Sequence, residues 1–321
     1  MTLDLTPVFD ELNQQHRERG TDMNVATMTV VMLFEDAGIG ELARNRIHQL
    51  AAKHPSRVIV LDGTHDASLR RVETNDWIEL GAKGSDAPTL RSAVAALRLT
   101  EAPLVLLWIA PGIAGDARFT ALCEDAQTVV YNSSLVDAGH AALCELVEYV
   151  EQHPSVPLAD IAYLRLAPWQ ESVATFFDGK DVDELFDLRR VEVACGSEPE
   201  GLYLLGWLAS RLRWTPCESD ALLNRYGKRV DFEIRHCGEP RRVAYIALSS
   251  SHSKFVAEVE PGAETIHLSV TGSSEHAQRY RAVNNPGIAA LLERAILWGQ
   301  NDQVFRDALN AAAQILAQRK D

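Results

Sequence analysis

Val25-Ala26-Thr27-Met28-Thr29-Val30-Val31-Met32-Leu33-Phe34 is an apolar run rich in Val, Met and Thr, the composition of a buried strand. Residues 40–53 follow with Leu42, Ile47 and Leu50 at helical spacing, and Pro55 ends that pattern. Val58-Ile59-Val60-Leu61 is a second short apolar run bounded by turn residues. Strand, helix and strand in such quick succession predict a parallel, doubly wound sheet.

Reading outward keeps the same rhythm. Upstream, Thr6 caps a short helix with Pro7 at its first position and Val8, Phe9 and Leu12 on its apolar face. Charged residues 14–22 read as a solvated connection. Downstream come a weak strand at 77–80, a helix at 90–97, and the strongest strand, Pro103-Leu104-Val105-Leu106-Leu107-Trp108-Ile109. A helix at 116–125, a strand at 128–131 and a helix at 135–150 complete the pattern.

His153-Pro154-Ser155-Val156-Pro157 is a boundary, because its two prolines break both helix and sheet. The expected domains are 1–152, Rossmann-like α/β, and 158–321, α+β with helices and an antiparallel sheet. In the second, Pro168 opens a helix through Trp169 and Phe177, residues 188–194 alternate as a strand, and 200–212 are helical. Thr215-Pro216-Cys217-Glu218 has the form of a capping box, which predicts a helix to about Tyr226. The period then becomes two at Val230, Phe232 and Ile234, at Val243 and Tyr245, and at Ile266, Leu268 and Val270, an antiparallel meander. Two helices, 288–297 and 304–316, close the chain.

Composition narrows the function classes. The chain has 321 residues, 46% hydrophobic and 24% charged, the balance of a folded globular protein. Thirty-one basic against 45 acidic residues give a net charge of −14, which disfavours nucleic-acid backbones and anionic membranes. A local basic patch is still possible, and Arg241-Arg242 next to Arg235 could form one. No apolar run reaches membrane-spanning length, and residues 1–10 lack the basic and apolar regions of a secretory signal. Five widely spaced cysteines, Cys123, Cys144, Cys195, Cys217 and Cys237, fit free thiols in a reducing cytoplasm.

The motifs of common chemistries are missing. A dinucleotide site needs Gly-x-Gly-x-x-Gly at the first strand–helix turn, where backbone approaches pyrophosphate. Here the turn reads Glu35-Asp36-Ala37-Gly38-Ile39-Gly40, and its two acids oppose a phosphate. P-loop and Gly-x-Ser-x-Gly motifs are absent. Ser133 and Ser134 follow a strand, where a hydroxyl could serve a site, but a helix N-cap accounts for either. His236, Cys237 and Cys217 are the best metal candidates, yet they lack the short paired spacing of a zinc site and a fourth ligand. His54-Pro55-Ser56-Arg57 fits a helix terminus, His54 at the negative end and Pro55 as the stop, while Arg57 could hold a carboxylate or phosphate. Arg165 and Trp169, in Arg165-Leu166-Ala167-Pro168-Trp169, combine the residue types of an interface anchor, with core burial the alternative for Trp169.

Taken in order, these landmarks resemble the glucose-6-phosphate dehydrogenase assembly protein (OpcA) family. They are His54-Pro55-Ser56-Arg57, the strand ending at Trp108, Val129-Val130 leading to Ser133-Ser134, Arg165 through Trp169, and Phe176-Phe177-Asp178. Gly206-Trp207-Leu208-Ala209-Ser210-Arg211-Leu212 and the helix start at Asp302-Gln303-Val304-Phe305 complete the set. The chain departs from the family pattern at Trp108-Ile109-Ala110-Pro111-Gly112, where relatives carry Trp-Trp-Arg-Gly, and at Asn132, Ala167 and Gln170. It reads as a divergent member.

The resemblance implies a non-catalytic partner of glucose-6-phosphate dehydrogenase that promotes its assembly or allosteric activation in the oxidative pentose phosphate pathway, with no cofactor or metal. The expected partner or ligand contacts are His54, Ser56, Arg57, Trp108, Ser133, Ser134, Arg165, Trp169 and Arg211. The alternative is a protein or enzyme that takes a sugar phosphate or nucleotide at the carboxyl edge of the N-terminal sheet.

Overall fold

The computed structural model describes residues 3–19, 26–74, 76–135, 139–155, 157–178, 182–218, 220–238, 243–259, 265–272, 277–282, 287–297 and 302–319. The chain divides into two compact units. One comprises Met1–Leu135, Gln152–Asp160 and Gly287–Asn301, and the other Val136–Glu151, Ile161–Pro286 and Asp302–Asp321. The backbone therefore passes between units several times, whereas the sequence suggested a single passage at 153–157.

The first unit is built on seven strands: β1 (Met28–Phe34), β2 (Ser56–Asp62), β3 (Arg70–Thr74), β4 (Trp77–Gly81), β5 (Leu104–Trp108), β6 (Thr128–Tyr131) and β7 (Leu158–Asp160). Their order is β3-β4-β2-β1-β5-β6-β7, and every neighbouring pair is parallel except β3 with β4. The strand order reverses direction between β1 and β5, which makes the crevice at their carboxyl ends the switch point of the sheet. All seven residues of β1 are buried, as a strand covered on both faces requires. The connecting helices are α1 (Thr6–Arg19), α2 (Ala37–Lys53), α3 (Ala87–Leu97), α4 (Ala117–Cys123) and, mostly within the second unit, α5 (Gly139–Gln152).

Some local expectations change. Helix α1 runs on to Arg19 through the stretch expected to be a connection, and Asp4 rather than Thr6 caps it, its carboxylate accepting from the Thr6 N–H at 3.0 Å. Strand β7 went unread because Pro157 precedes it. At a sheet edge a proline is tolerated, and its carbonyl still accepts from the Val129 N–H at 2.9 Å.

The second unit contains α6 (Ile161–Leu164), α7 (Ala167–Phe176), α8 (Val182–Phe186), β8 (Arg190–Cys195), α9 (Glu198–Leu212), β9 (Thr215–Glu218), β10 (Ala221–Leu223) and β11 (Arg229–His236). Strands β12 (Val243–Ser249), β13 (Lys254–Glu258), β14 (Thr265–Thr271) and β15 (Ala277–Ala282) follow. Then come α10 (Ile288–Leu297), which belongs to the first unit and packs on α2 and β6, and α11 (Gln303–Arg319).

The eight-stranded sheet runs β15-β14-β13-β12-β8-β11-β10-β9. It holds the expected meander, with β8 inserted at its centre, antiparallel to β12 and parallel to β11. The helix expected over 215–226 is instead the β9–β10 hairpin. Ala221 and Leu222 are both fully buried in the sheet, and that burial outweighs a capping-box signal at a helix start.

Helix α9 crosses α11 closely at Gly206, where an added Cβ would lie 2.4 Å from the Ala308 carbonyl oxygen. The glycine and two alanines, Ala308 and Ala312, let the backbones approach. The rings of Tyr163, Tyr203 and Phe305 pack beside that crossing at 5.0–6.0 Å.

Candidate functional site

A doubly wound sheet offers its ligand crevice at the carboxyl ends of the strands flanking the switch point. Here that place is occupied by the chain's own side chains. Glu35, at the end of β1, and Arg118, at the start of α4 after β5, form an ion pair at 2.8 Å. Arg118 also holds Asp116 through two contacts, at 2.6 and 3.1 Å, and lies over the Trp108 ring at 6.0 Å. The Asp116 hydrogen bonds and the Glu35 contact push the Arg118 pKa further up. Asp36 turns its carboxylate onto the N-terminus of α2, accepting from the Ile39 N–H at 2.8 Å. A pyrophosphate would take that helix end, so an anion of the chain already stands in its place.

The glycine fingerprint survives in one position only. Counted from Glu35, its third glycine falls on Gly40. There a Cβ would sit 2.4 Å from the Phe34 ring, so Gly40 keeps the close helix–strand packing of that motif. Glu35 and Ala37 stand where the phosphate-cradling glycines would be.

A second acidic position belongs to this edge. Asp62 ends β2, where dinucleotide folds place the carboxylate that binds ribose. It is buried and accepts from Thr64 N–H at 2.8 Å, Thr64 Oγ1 at 2.5 Å, Arg44 Nη2 at 2.6 Å and His65 Nδ1 at 3.1 Å. Burial alone would raise its pKa, but hydrogen bonds from Thr64, Arg44 and His65 outweigh burial and hold it below the usual carboxylate range. Arg44 also bonds Glu79 at 3.0 Å and stacks on Phe34 at 4.6 Å, and Trp77 Nε1 donates to Glu79 at 3.1 Å. Sequence reasoning missed Arg44, Asp62 and Glu79. The available signal was an acid directly after the apolar run 58–61.

The residues singled out from sequence do not converge. His54, Ser56 and Arg57 lie at the amino edge of the first sheet, since Ser56 pairs with Met28 and Arg57 with Thr29 at the beginnings of their strands. His54 ends α2 and contacts Glu293 of α10 at 2.9 Å, Ser56 Oγ donates to the His54 carbonyl at 2.5 Å, and Arg57 donates to the Leu97 carbonyl at 3.2 Å. Trp108, Ser133 and Ser134 lie at the opposite, carboxyl edge. Arg57 therefore cannot join Ser133 and Ser134 in one site at the carboxyl edge.

Trp108 is buried and donates to the Gly112 carbonyl at 2.8 Å. Ser133 lies in a short 3-10 turn. Its N–H donates to Asp160 at 3.1 Å, and its buried hydroxyl has no hydrogen-bond partner among the described residues. Ser134 Oγ donates to Asn132 Oδ1 at 2.7 Å.

In the second unit Arg165 pairs with buried Glu200, Trp169 is core in α7, and Arg211 pairs with Asp307 between α9 and α11. Cys217 and His236 stand on β9 and β11, two strands apart and about 20 Å from each other by strand geometry. Cys195 neighbours Cys237, whose N–H donates to the Cys195 carbonyl at 2.9 Å. Burial, with added effects of Glu200 and Cys237, pushes the Cys195 thiol up to about 12, the condition of an unreactive thiol. Among the described residues no three His, Cys, Asp or Glu side chains gather as a metal site, and no helix is long and apolar enough to cross a membrane. Arg241 and Arg242 lie outside the described residues.

These features define a two-unit Rossmann-like α/β chain with an ion pair of its own, Glu35–Arg118, at the first strand–helix turn. Solved structures share the architecture. KijD10, a 3-ketoreductase from Actinomadura kijaniata with TDP-benzene and NADP in an open conformation, is 11% identical over 91% of this chain and 96% of its own, with a TM-score of 0.58. Aldose-aldose oxidoreductase from Caulobacter crescentus is 13% identical over 92% and 98%, with a TM-score of 0.53. At such identities the likeness is one of fold.

Two family models match the sequence, the glucose-6-phosphate dehydrogenase subunit N-terminal domain over residues 47–148 and its C-terminal domain over 156–309. The chain belongs to this OpcA family. An OxPP cycle protein OpcA from Nostoc punctiforme is 32% identical over 267 residues, 75% of this chain and 57% of that protein. Its namesake from Synechocystis sp. is 27% identical over 188 residues, 52% and 39%. The match thus spans 57% and 39% of the length of these two relatives, about half.

Proposed function

We propose that this chain is a non-catalytic partner that binds glucose-6-phosphate dehydrogenase and promotes its assembly or allosteric activation, supporting the oxidative pentose phosphate pathway. The observation that carries the reading is the pairing of two family matches with a switch-point crevice crossed by Glu35–Arg118. A chain of oxidoreductase-like fold that fills its own cofactor crevice keeps the scaffold for contact with another protein. The effect on the enzyme then follows from differential binding. The chain must prefer one conformer or oligomer of the dehydrogenase, and the preference sets the size of the activation.

Mixing the purified chain with the dehydrogenase should yield a co-eluting complex and a lower apparent KM or higher kcat. No complex at micromolar concentrations, together with unchanged kinetics, would reject the proposal.

The second reading is a small-molecule site at the carboxyl edge of the first sheet. The buried Ser133 hydroxyl, without a hydrogen-bond partner among the described residues, favours it. Strong thermal stabilisation of the chain alone by a sugar phosphate or nucleotide would select that reading.

A further inference from the structure

The turn joining β10 to β11 holds two side chains outward in a fixed arrangement. Asn224 braces it, its Oδ1 accepting from the N–H groups of Tyr226 at 2.9 Å and Lys228 at 3.0 Å, while the Gly227 N–H donates to the Asn224 carbonyl at 2.8 Å. Gly227 takes the left-handed conformation the turn needs, with φ +73°. On this frame the Arg225 guanidinium lies over the Phe186 ring at 4.0 Å and the Tyr226 ring at 4.8 Å, and Nη2 donates to the Tyr226 hydroxyl at 2.6 Å.

Tyr226 is nonetheless 60% exposed. Val182, four positions before Phe186 on α8 and so on the same helical face, is 41% exposed. The two are among the few large apolar side chains that the described residues leave in solvent. Among those residues no carboxylate pairs with Arg225, although the chain carries 45 acids and nearby Arg190, Arg229 and Arg235 all have carboxylate partners. The two rings hold the guanidinium in place, and beyond the Nη2 bond to Tyr226 its remaining N–H donors have no carboxylate among the described residues. A flat, pre-positioned guanidinium edge suits a carboxylate held by two contacts, and Tyr and Arg together are the usual anchors of protein interfaces. Fixing both beforehand lowers the ordering cost of binding.

We propose that the 224–227 turn, with Phe186 and Val182, is an anchor by which this chain grips the dehydrogenase, receiving a surface carboxylate flanked by apolar side chains. The assignment rests on the function proposed above. A second copy of the chain is the poorer occupant, because two bodies of charge −14 repel.

Calorimetric titration of the dehydrogenase with wild type, Arg225→Ala, Arg225→Lys and Tyr226→Ala tests it, with Arg46→Ala as an exposed control on α2. Both alanine variants at the turn should weaken Kd by about tenfold or more. Lysine should restore little, because it lacks the flat fork, and Arg46→Ala should bind like wild type. Unfolding midpoints, measured alongside, should agree among all variants. Wild-type affinity in both alanine variants overturns the anchor and leaves the proposed function standing. No binding by wild type overturns both. A concentration-dependent dimer in sedimentation that Arg225→Ala abolishes assigns the turn to a second copy and overturns the dehydrogenase as its occupant.

Discussion

At the carboxyl edge of β1 and β5, Arg118 is gripped by two carboxylates of its own chain. At the turn between β10 and β11, Arg225 is gripped by two rings and by no carboxylate among the described residues. The first arrangement satisfies the cation internally and closes a crevice. The second fixes the cation in space, commits one donor to Tyr226, and leaves the others for another molecule. The contrast gives a rule for this fold: a place where the chain's own charges cancel belongs to stability, and a place where geometry is rigid but charge is unmatched is a candidate for recognition. Substitution should then cost folding free energy at the edge and binding free energy at the turn.

The largest effect is expected beneath the closed edge. In Gly40→Val the new side chain would enter the space of the fully buried Phe34 ring, where even a Cβ comes within 2.4 Å. Helix α2 must then lift from β1, at a cost of about 3 kcal/mol or more. Urea denaturation would show the loss as a lower midpoint. An unchanged midpoint would mean that the helix does not depend on this contact.

Asp62 should matter somewhat less. Asp62→Asn removes the charge opposite Arg44 while Glu79 still holds that guanidinium, so a loss of about 2 kcal/mol is expected at pH 7. Its pH dependence sharpens the test. The folded-state pKa of Asp62 lies below its ordinary value, so the stability it contributes is fully present above about pH 4. That contribution fades as pH falls through the folded-state value. Wild type and Asp62→Asn should therefore differ by a constant amount between pH 7 and 5 and converge at lower pH. A gap that widens on acidification would contradict the role given to Asp62.

How much of this was legible beforehand follows from the range of the forces. Strand β1 and the 58–61 run announced themselves because burial on both faces leaves a continuous apolar signature. The acids at Glu35 and Asp36 were readable as hostile to phosphate, and the structure adds the partners that neutralise Glu35 and cap α2. Arg44, Glu79 and Arg118 were invisible, because a helix residue paired with an acid distant in sequence depends on tertiary packing that no local pattern encodes. The 215–226 stretch was misread for a related reason: a capping box is a local signal worth about 1 kcal/mol, and burial of Ala221 and Leu222 in a sheet exceeds it. His54, Ser56 and Arg57 stood out as a motif. The structure supplies bonds that account for them at the amino edge, the Glu293 contact of His54 included.

The smallest stability effect marks the other side of the comparison. Tyr226→Ala removes a ring that is mostly in solvent and whose contacts are the Arg225 stack and one hydrogen bond. The turn itself is held by Asn224 and Gly227, which the substitution leaves in place. A surface change of this kind should move stability by no more than about 0.5 kcal/mol. Thermal unfolding would then coincide with wild type to within a few degrees, while Gly40→Val and Asp62→Asn fall clearly below it. A Tyr226→Ala protein as unstable as Asp62→Asn would place the ring among the structural supports of the second unit, and the contrast between an internally cancelled edge and an outward-facing turn would fail.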